Sequence, residues 1–282
     1  MIIVEPCAGL GNRFLSLASA YHWAREVDEE LVVLWKTESA MGAHNKEIFT
    51  IPSDIRIVNA KDYGYKVHPF AQLRYENLKK KYKKEADFFI DVSELMDLFK
   101  QKGKEGVEQI IKDNKVKYLR AFYEFYPLEK TDAPLGFIKP SEKVLKKMYD
   151  TIGDSDCSDT IGIHIRRADN QVCINNSPLE LFIEKMKKEV EQNDKTKFYL
   201  ASDDQQTLDE LSRMFGKRIM IMKEKNFARD NAEGIIDAYA ELMCLSHSKK
   251  IIGSFYSSYS KIAAMISQIP LEILQIENLI PW

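Results

Sequence analysis

The second half of this sequence alternates short apolar runs with amphipathic stretches that have the period of a helix. The runs TIGIHIR, KFYLAS, RIMIM, KIIGS and ILQI read as strands. The stretches between them read as helices over residues 178–192, 205–215, 231–247 and 257–268. Strands that alternate with helices in this way predict a doubly wound parallel sheet, whose ligands bind outside the carboxyl ends of the strands.

The first half of the sequence opens with the same alternation of strand and helix. IIVEP predicts a strand, residues 8–12 a turn, residues 14–24 a helix, and LVVLWK a further strand, which together make a βαβ unit. Beyond it, IRIVNA and the aromatic VKYLRAFYEFYP read as strands, and the lysine-rich run at 79–84 as a solvated face or loop. Small and acidic residues cluster at 151–159. They predict a boundary between domains 1–150 and 151–282.

Composition excludes several classes of protein. Of the 282 residues, 45% are apolar and 30% are charged, which is typical of a folded chain. The formal net charge of -2 argues against a nucleic-acid partner. The four cysteines have neither disulfide-framework nor zinc-site spacing, and we see no leader and no membrane-length apolar segment. We expect a cytoplasmic protein without a membrane span, and leave peripheral membrane contact open.

The stretch IGIHIRRADN brings charged side chains to the end of a buried strand. The strand period places His164 and Arg166 on one face and the isoleucines on the other. Arginine presents a planar fork that matches phosphate oxygens and does not lose its charge, so Arg166 and Arg167 suit a diphosphate. The structural alternative is an arginine pair at a strand end that forms a salt bridge with Asp169 and faces water.

The stretch FYLASDDQQTLDEL also passes from a strand to a helix. Ser202 or Asp203 can cap that helix, and Asp203 and Asp204 are well placed against the positive end of its dipole. The functional alternative is a paired-carboxylate metal site for a nucleotide diphosphate, although the two arginines would neutralise a diphosphate without a metal.

A third strand-to-helix turn, GSFYSS, contains Ser254, Ser257 and Ser258. Hydroxyls and amides at a helix N-terminus can bind an anion, and Ser257 and Ser258 can equally serve as ordinary N-caps. Near the N-terminus, Gly9 and Gly11 form a GLGN turn that is half of a dinucleotide fingerprint. Because Phe14 stands where the third glycine should be, NAD is not expected. Together these motifs suggest a diphosphate ligand in an interdomain cleft.

GIHIRRADN, FYLASDD and LSHSKKIIGSFYSS resemble, in order and spacing, the three motifs of the GDP-fucose-dependent fucosyltransferases of the alpha-1,6 and alpha-1,2 types. GLGNRF resembles the glycine turn of the same family, and the resemblance covers about residues 8–14 and 160–266. It implies a GT-B-like α/β fold of two Rossmann-like domains with parallel sheets and a cleft between them. It also implies transfer with inversion, no metal or other cofactor, a GDP-sugar donor, and a glycan or glycolipid acceptor.

The resemblance assigns roles to individual residues. Arg166 would hold the β-phosphate and stabilise the charge on the departing GDP, and His164 and Glu241 would read the guanosine. Asp203 and Asp169 would shape the pocket. The remaining donor contacts would come from the other motif residues, with Asn12 and Arg13 closing the pocket from the first domain: Gly9, Gly11, Asn12, Arg13, Arg167, Ser254, Ser257 and Ser258.

In one respect this chain departs from the family pattern. The stretch GIHIRRADN is called the arginine motif here. After this motif the alpha-1,6 enzymes have a lysine and then a glutamate for acid–base chemistry, whereas in this chain no carboxylate follows Asp169 until Glu180. The base for the acceptor hydroxyl is therefore open between Glu5 and Asp169, or is absent. Three alternatives remain: a transferase for another nucleotide sugar, a catalytically silent GDP-sugar- or glycan-binding protein, and a metal-dependent transferase using Asp203 and Asp204.

Overall fold

The structure is a computed structural model, described here for residues 1–59, 69–90, 117–153 and 159–279 and for isolated positions between residues 94 and 113. The chain divides into two compact units. The first comprises Met1–Ser141 and Ala228–Ile235, and the second comprises Glu142–Phe227 and Ile236–Trp282. Each unit contains its own parallel sheet.

The first unit is built around a five-stranded sheet in the order β4-β2-β1-β6-β5, with every pair parallel. Short strands β3 and β7 form a separate antiparallel pair. The central strand β1 is wholly buried, and its carboxyl end leads through a short turn into α1. The elements are β1 (Ile2–Pro6), α1 (Leu10–Glu26), β2 (Leu31–Trp35), α2 (Asn45–Ile48), β3 (Phe49–Thr50), β4 (Arg56–Asn59), α3 (Pro69–Glu85), β5 (Phe88–Ile90), β6 (Lys117–Ala121) and β7 (Lys139–Pro140).

The second unit is also a five-stranded parallel sheet, in the order β10-β9-β8-β11-β12. The chain winds outward from β8 to β9 and β10, then returns to β11 on the other side, so β8 and β11 flank the switch point at which such folds bind ligands. The elements are α4 (Glu142–Ile152), β8 (Ile161–Ile165), α5 (Gln171–Asn176), α6 (Leu179–Gln192), β9 (Phe198–Ser202), α7 (Gln205–Phe215), β10 (Ile219–Met220), α8 (Ala232–Ser246), β11 (Lys250–Ser254), α9 (Ser258–Ser267) and β12 (Leu271–Leu274).

The predicted α/β class with two parallel Rossmann-like sheets is confirmed, and so is the predicted alternation of side chains in β8. Ile161, Ile163 and Ile165 are buried in one apolar cluster with residues of α6, α7 and β9. Since side chains alternate along a strand, His164 projects from the opposite face. Burial on both faces explains why β8 contains few polar residues.

The lysine-rich run is solvated as predicted, whereas two predicted strands are shorter than expected and one helix was not predicted. The lysine-rich segment is helix α3, in which Tyr82 is buried while most of the lysines are exposed. The aromatic strand β6 ends at Ala121, β10 has only two residues, and the unpredicted helix α5 follows the arginine motif. Helix α4 crosses the proposed boundary at residue 150, and residues 154–158 lie outside the described part of the chain.

Hydropathy separates these helices from membrane-spanning ones. Within the described ranges, no helix combines the length and the apolar character that crossing a bilayer requires.

Candidate functional site

The site begins where β8 and β11 end side by side. The amide of Arg166, the first residue after β8, donates to the hydroxyl oxygen of Ser254, the last residue of β11, at 3.0 Å. The same hydroxyl donates to the carbonyl of His164 at 3.4 Å. Ser254 is fully buried, so its side chain fixes the two strand ends together rather than facing a ligand directly.

Asp203, directly after β9, connects the third strand end to the arginine motif. Its Oδ1 accepts from the amides of Arg167 at 2.7 Å and Ala168 at 3.2 Å. Its Oδ2 forms an ion pair with Nη1 of Arg166 at 2.7 Å. One carboxylate therefore fixes both the backbone after β8 and the direction of the Arg166 guanidinium.

Arg166 also contacts a second carboxylate. Its Nη2 donates to Oδ1 of Asp169, a residue that is 58% exposed, whereas Asp203 is 19% exposed. The sequence alternative of an Arg–Asp salt bridge is therefore observed, in addition to the Asp203 contact. A guanidinium held on one side by a half-buried carboxylate and on the other by an exposed one can exchange the exposed partner for phosphate oxygens.

Arg167 lies beside the same strand end. Burial lowers the pKa of its guanidinium, and the carboxylates of Glu180, Asp204 and Asp203 oppose that effect. Arginine remains charged under such conditions, so the site carries two adjacent positive charges at the carboxyl edge of the sheet.

His164 belongs to a buried polar cluster that also contains Lys225, Glu241 and Tyr259. The imidazole is 5% exposed, and its ring centroid lies 4.8 Å from that of Tyr259. Burial, with the charges of Arg166 and Lys225, lowers its pKa to about 3, so the ring is neutral. Its Nδ1 is buried and has no hydrogen-bond partner among the described residues. Glu241 lies in the same cluster.

Glu241 forms an ion pair with a lysine that the sequence reading did not single out. Lys225 Nζ lies 2.6 Å from Glu241 Oε2 and also donates to the carbonyl of Ser202 at 2.6 Å. Tyr259 donates to the carbonyl of Ala238 and lies 3.5 Å from the same Glu241 oxygen. Burial raises the pKa of Glu241, and Lys225 opposes this rise.

The GSFYSS turn is strained at a position that the sequence did not indicate. Tyr256 has a φ of 57°, and a positive φ is unusual for a bulky aromatic residue. Its side chain is 49% exposed. Its carbonyl accepts from the thiol of Cys173 at 3.6 Å. Ser257 is the N-cap of α9 but makes no side-chain capping bond, and Ser258 is the first helical residue. The Ser257 hydroxyl is therefore not committed to capping.

The predicted N-cap of α7 was wrong by one or two residues. Asp204, rather than Ser202 or Asp203, caps the helix by accepting from the amide of Thr207 at 2.8 Å. Asp203 instead contacts the arginine motif, so the two adjacent carboxylates have separate partners. Across the described ranges, no group of three His, Cys, Asp or Glu side chains is arranged to hold a metal ion.

The glycine turn of the first unit has its unusual backbone at an alanine. Ala8 has a φ of 65°, whereas Gly9 is extended and is the N-cap of α1. Gly11 and Asn12 lie in the first turn of α1, where Gly11 is buried and Asn12 is half-buried. The predicted tight turn between β1 and a helix is observed, and the contact of these residues with a donor stays a prediction.

Arg13 has a structural environment within the first unit. It is 1% exposed, and its Nε and Nη1 donate to the carbonyls of Ala8 and Lys36 at 2.8 and 2.7 Å. Its Nη2 lies 2.6 Å from Glu38, and its guanidinium lies 5.0 Å from the centroid of Trp35. The implied role of Arg13 in closing a donor pocket gains no support, because each guanidinium nitrogen already has a partner.

Glu5, at the end of β1, is 4% exposed and strongly hydrogen-bonded. Tyr118 donates to its Oε2 at 2.7 Å, Lys79 to its Oε1 at 3.0 Å, and Arg120 Nε lies 3.8 Å away. The two oxygens of this carboxylate therefore already accept from a phenol and an ammonium, which leaves Glu5 little freedom to contact an acceptor hydroxyl.

Comparison with known proteins identifies the fold. No protein-family description and no curated protein sequence matches this chain. Among solved structures, the NodZ alpha-1,6-fucosyltransferase soaked with GDP-fucose superposes with a TM-score of 0.62 at 15% identity, over 94% of this chain and 92% of that one. The chain has the fold of the fucosyltransferases.

Two further structures with this fold also align over nearly all of the chain. POFUT1 in complex with GDP-fucose gives a TM-score of 0.59 at 12% identity, over 98% of each chain. A variant of Arabidopsis thaliana FUT1 in complex with GDP gives 0.61 at 16% identity, over 96% of this chain and 69% of that one. The resemblance of the three sequence motifs and the fucosyltransferase fold therefore agree.

Proposed function

We propose that this protein transfers L-fucose from GDP-fucose to a hydroxyl of a glycan or glycolipid, with inversion and without a metal. The main support for this proposal is the position of the Arg166 guanidinium, which is held at the end of the central strand β8 between Asp203 and Asp169. The fold around this arginine is similar to that of the NodZ alpha-1,6-fucosyltransferase, whose structure was obtained from a crystal soaked with GDP-fucose. A bidentate cation at the switch point of a doubly wound sheet is suited to a diphosphate.

In the proposed reaction, the acceptor oxygen bonds to the anomeric carbon of fucose while the bond from that carbon to the β-phosphate oxygen breaks. The electron pair leaves with GDP, so negative charge develops on the phosphate. Arg166 neutralises that charge, and comparable fixed donors contribute about 3–4 kcal/mol to lowering a barrier. The positive charges of Arg166 and Arg167 support the proposal that this charge is neutralised without a metal.

The acceptor hydroxyl loses its proton as the new bond forms, and Asp169 is our proposed base. It is exposed, and its contact with Arg166 would be exchanged for the diphosphate when the donor binds. The released carboxylate is then available to accept a proton. Glu5 is the weaker candidate because Lys79 and Tyr118 already donate to its oxygens.

The guanosine would be read at the other end of the donor by His164 and Glu241, both on the buried side of the site. The neutral imidazole offers one acceptor and one donor nitrogen, and the carboxylate offers acceptors only. Guanine presents an N–H and an amino group on one edge. The pair is therefore suited to guanine better than to uracil or cytosine.

Calorimetric titration with GDP tests this proposal, with UDP, ADP and CMP as comparison ligands and EDTA in every buffer. We expect selective GDP binding that weakens at least about tenfold in Arg166→Ala, as loss of a charged hydrogen bond predicts. Arg213→Ala, on the exposed side of α7, is the matched control and should bind as the wild type does. Equal affinity for all four nucleotides, or GDP binding indifferent to Arg166, would sink the proposal.

A second candidate is a silent GDP-sugar-binding protein, favoured by the absence of a carboxylate between Asp169 and Glu180. Release of GDP from GDP-fucose, measured over a panel of glycan acceptors in EDTA, separates the two. Transfer in EDTA supports the metal-independent enzyme. Tight GDP binding without transfer to any acceptor supports the silent protein, and activity restored only by a divalent cation supports the metal-dependent alternative.

A further inference from the structure

Lys225 lies outside the three sequence motifs, and it contacts two parts of the site at once. Its ammonium group donates to the carbonyl of Ser202 at 2.6 Å and to Glu241 at 2.6 Å. The lysine and glutamate side chains are only 6% and 4% exposed. Ser202 immediately precedes Asp203, so the lysine connects the Arg166 side of the site with the Glu241 side.

The contacts of Glu241 leave one oxygen available. Lys225 and Tyr259 both approach Oε2, and the described residues place no hydrogen-bond donor on Oε1. A carboxylate fixed through one oxygen has its other oxygen fixed in direction as well. Guanine carries an N1–H and a 2-amino group side by side, and these are the donors that such an oxygen accepts.

We propose that Lys225 is a positioning residue that orients the Glu241 carboxylate toward the 2-amino edge of the nucleobase and so sets the preference for guanine. This inference rests on the proposed function, because it takes the ligand to be a guanosine diphosphate. It extends that function by assigning base selectivity to a residue outside the three motifs.

Burial explains why the carboxylate needs this partner. Burial alone raises the pKa of Glu241 and favours the protonated acid, which would present a donor as well as an acceptor to the base. Lys225 opposes this, and its charge also contributes to keeping His164 neutral. Removing the ammonium therefore changes the hydrogen-bonding character of Glu241, whereas removing a merely structural lysine does not.

Inosine diphosphate, which is GDP without the 2-amino group, is the probe that separates these roles. We expect the wild type to bind GDP at least about tenfold more tightly than inosine diphosphate, as expected for a hydrogen bond to a charged group. In Lys225→Met the two affinities should converge to within about threefold, and Lys225→Arg, which keeps the positive charge, should recover part of the preference.

Lys147→Met is the matched control, because Lys147 forms a 3.0 Å ion pair with Asp237, another buried carboxylate of α8. That variant should keep the wild-type ratio. Where Lys225→Met is too unstable to assay, Glu241→Gln provides the second test, and we expect the same convergence because an amide whose oxygen accepts from Lys225 turns its NH2 group toward the base. Thermal melting establishes that each variant is folded.

The outcomes distinguish the inference from the function on which it rests. Failure of the wild type to bind GDP overturns the proposed function. GDP binding with a ratio near one in the wild type, or with a ratio unchanged in Lys225→Met and Glu241→Gln, overturns the role of Lys225 alone. An equal loss of affinity for both nucleotides in Lys225→Met also overturns it, since it would mean that the lysine only supports the fold.

Discussion

The guanidinium of Arg166 and the carboxylate of Asp203 form a 2.7 Å ion pair between the ends of two adjacent strands, β8 and β9. The same carboxylate accepts from the Arg167 amide, so the side chain of Arg166 and the backbone of its neighbour are fixed by one group. A cation whose direction is fixed before the ligand arrives needs little rearrangement to meet a phosphate.

We predict that Asp203→Ala lowers the free energy of unfolding by about 2–3 kcal/mol, because an arginine and an amide lose a charged acceptor. Asp169→Ala should cost less than about 1 kcal/mol, because that carboxylate is exposed. Urea denaturation of both variants measures the difference. Equal losses would mean that the two carboxylates support the motif to the same extent.

We predict that His164 makes stability depend on pH. Its folded pKa of about 3 lies below the ordinary value of 6.5, so between these pH values the unfolded chain binds a proton that the folded chain does not. The stability that the folded protein gains from a neutral His164 is fully present above about pH 6.5 and is lost as the pH falls toward 3. His164→Gln should flatten this part of the pH dependence of unfolding, and His247→Gln, on an exposed residue, should not.

We predict that Arg13 is required for stability of the first unit. Arg13→Met leaves Glu38 without its cation and two carbonyls without donors, a loss of about 3–5 kcal/mol. Arg25 is the comparison, since it also pairs with a carboxylate, Asp54, and lies over the ring of Tyr21, but is exposed. Arg25→Met should cost below about 1 kcal/mol in the same denaturation experiment. A smaller loss at Arg13 than at Arg25 would contradict the structural role.

We predict that Tyr256→Gly stabilises the protein by about 1 kcal/mol relative to Tyr256→Ala, since glycine adopts a positive φ without the cost that any Cβ imposes. Both variants remove the ring, so their difference isolates the backbone. Differential scanning calorimetry of the pair measures it. If alanine were equal or better, the left-handed conformation at 256 would not be strained.

Sequence reasoning succeeded where a local pattern determines the structure. The alternation in IGIHIRRADN placed His164 and Arg166 on one face because strands have a period of two, and the glycine turn followed from its position after a strand. It failed for Lys225, which lies in a loop without periodicity and whose partner is 16 residues away. For Arg13, the family resemblance implied a ligand contact, and no sequence pattern indicated the packing of its guanidinium against Trp35.

Segment 228–235 belongs to the first unit, although the second unit begins at residue 142. Gly42 donates to the carbonyl of Arg229 at 2.7 Å, and a Cβ on Gly42 would lie 2.0 Å from the carbonyl carbon of Asp230. A chain emerging from the ribosome thus presents most of the first unit long before the segment that packs on Gly42 is synthesised. Neither unit is complete as one continuous stretch, so cutting the gene at a single point does not yield two whole domains.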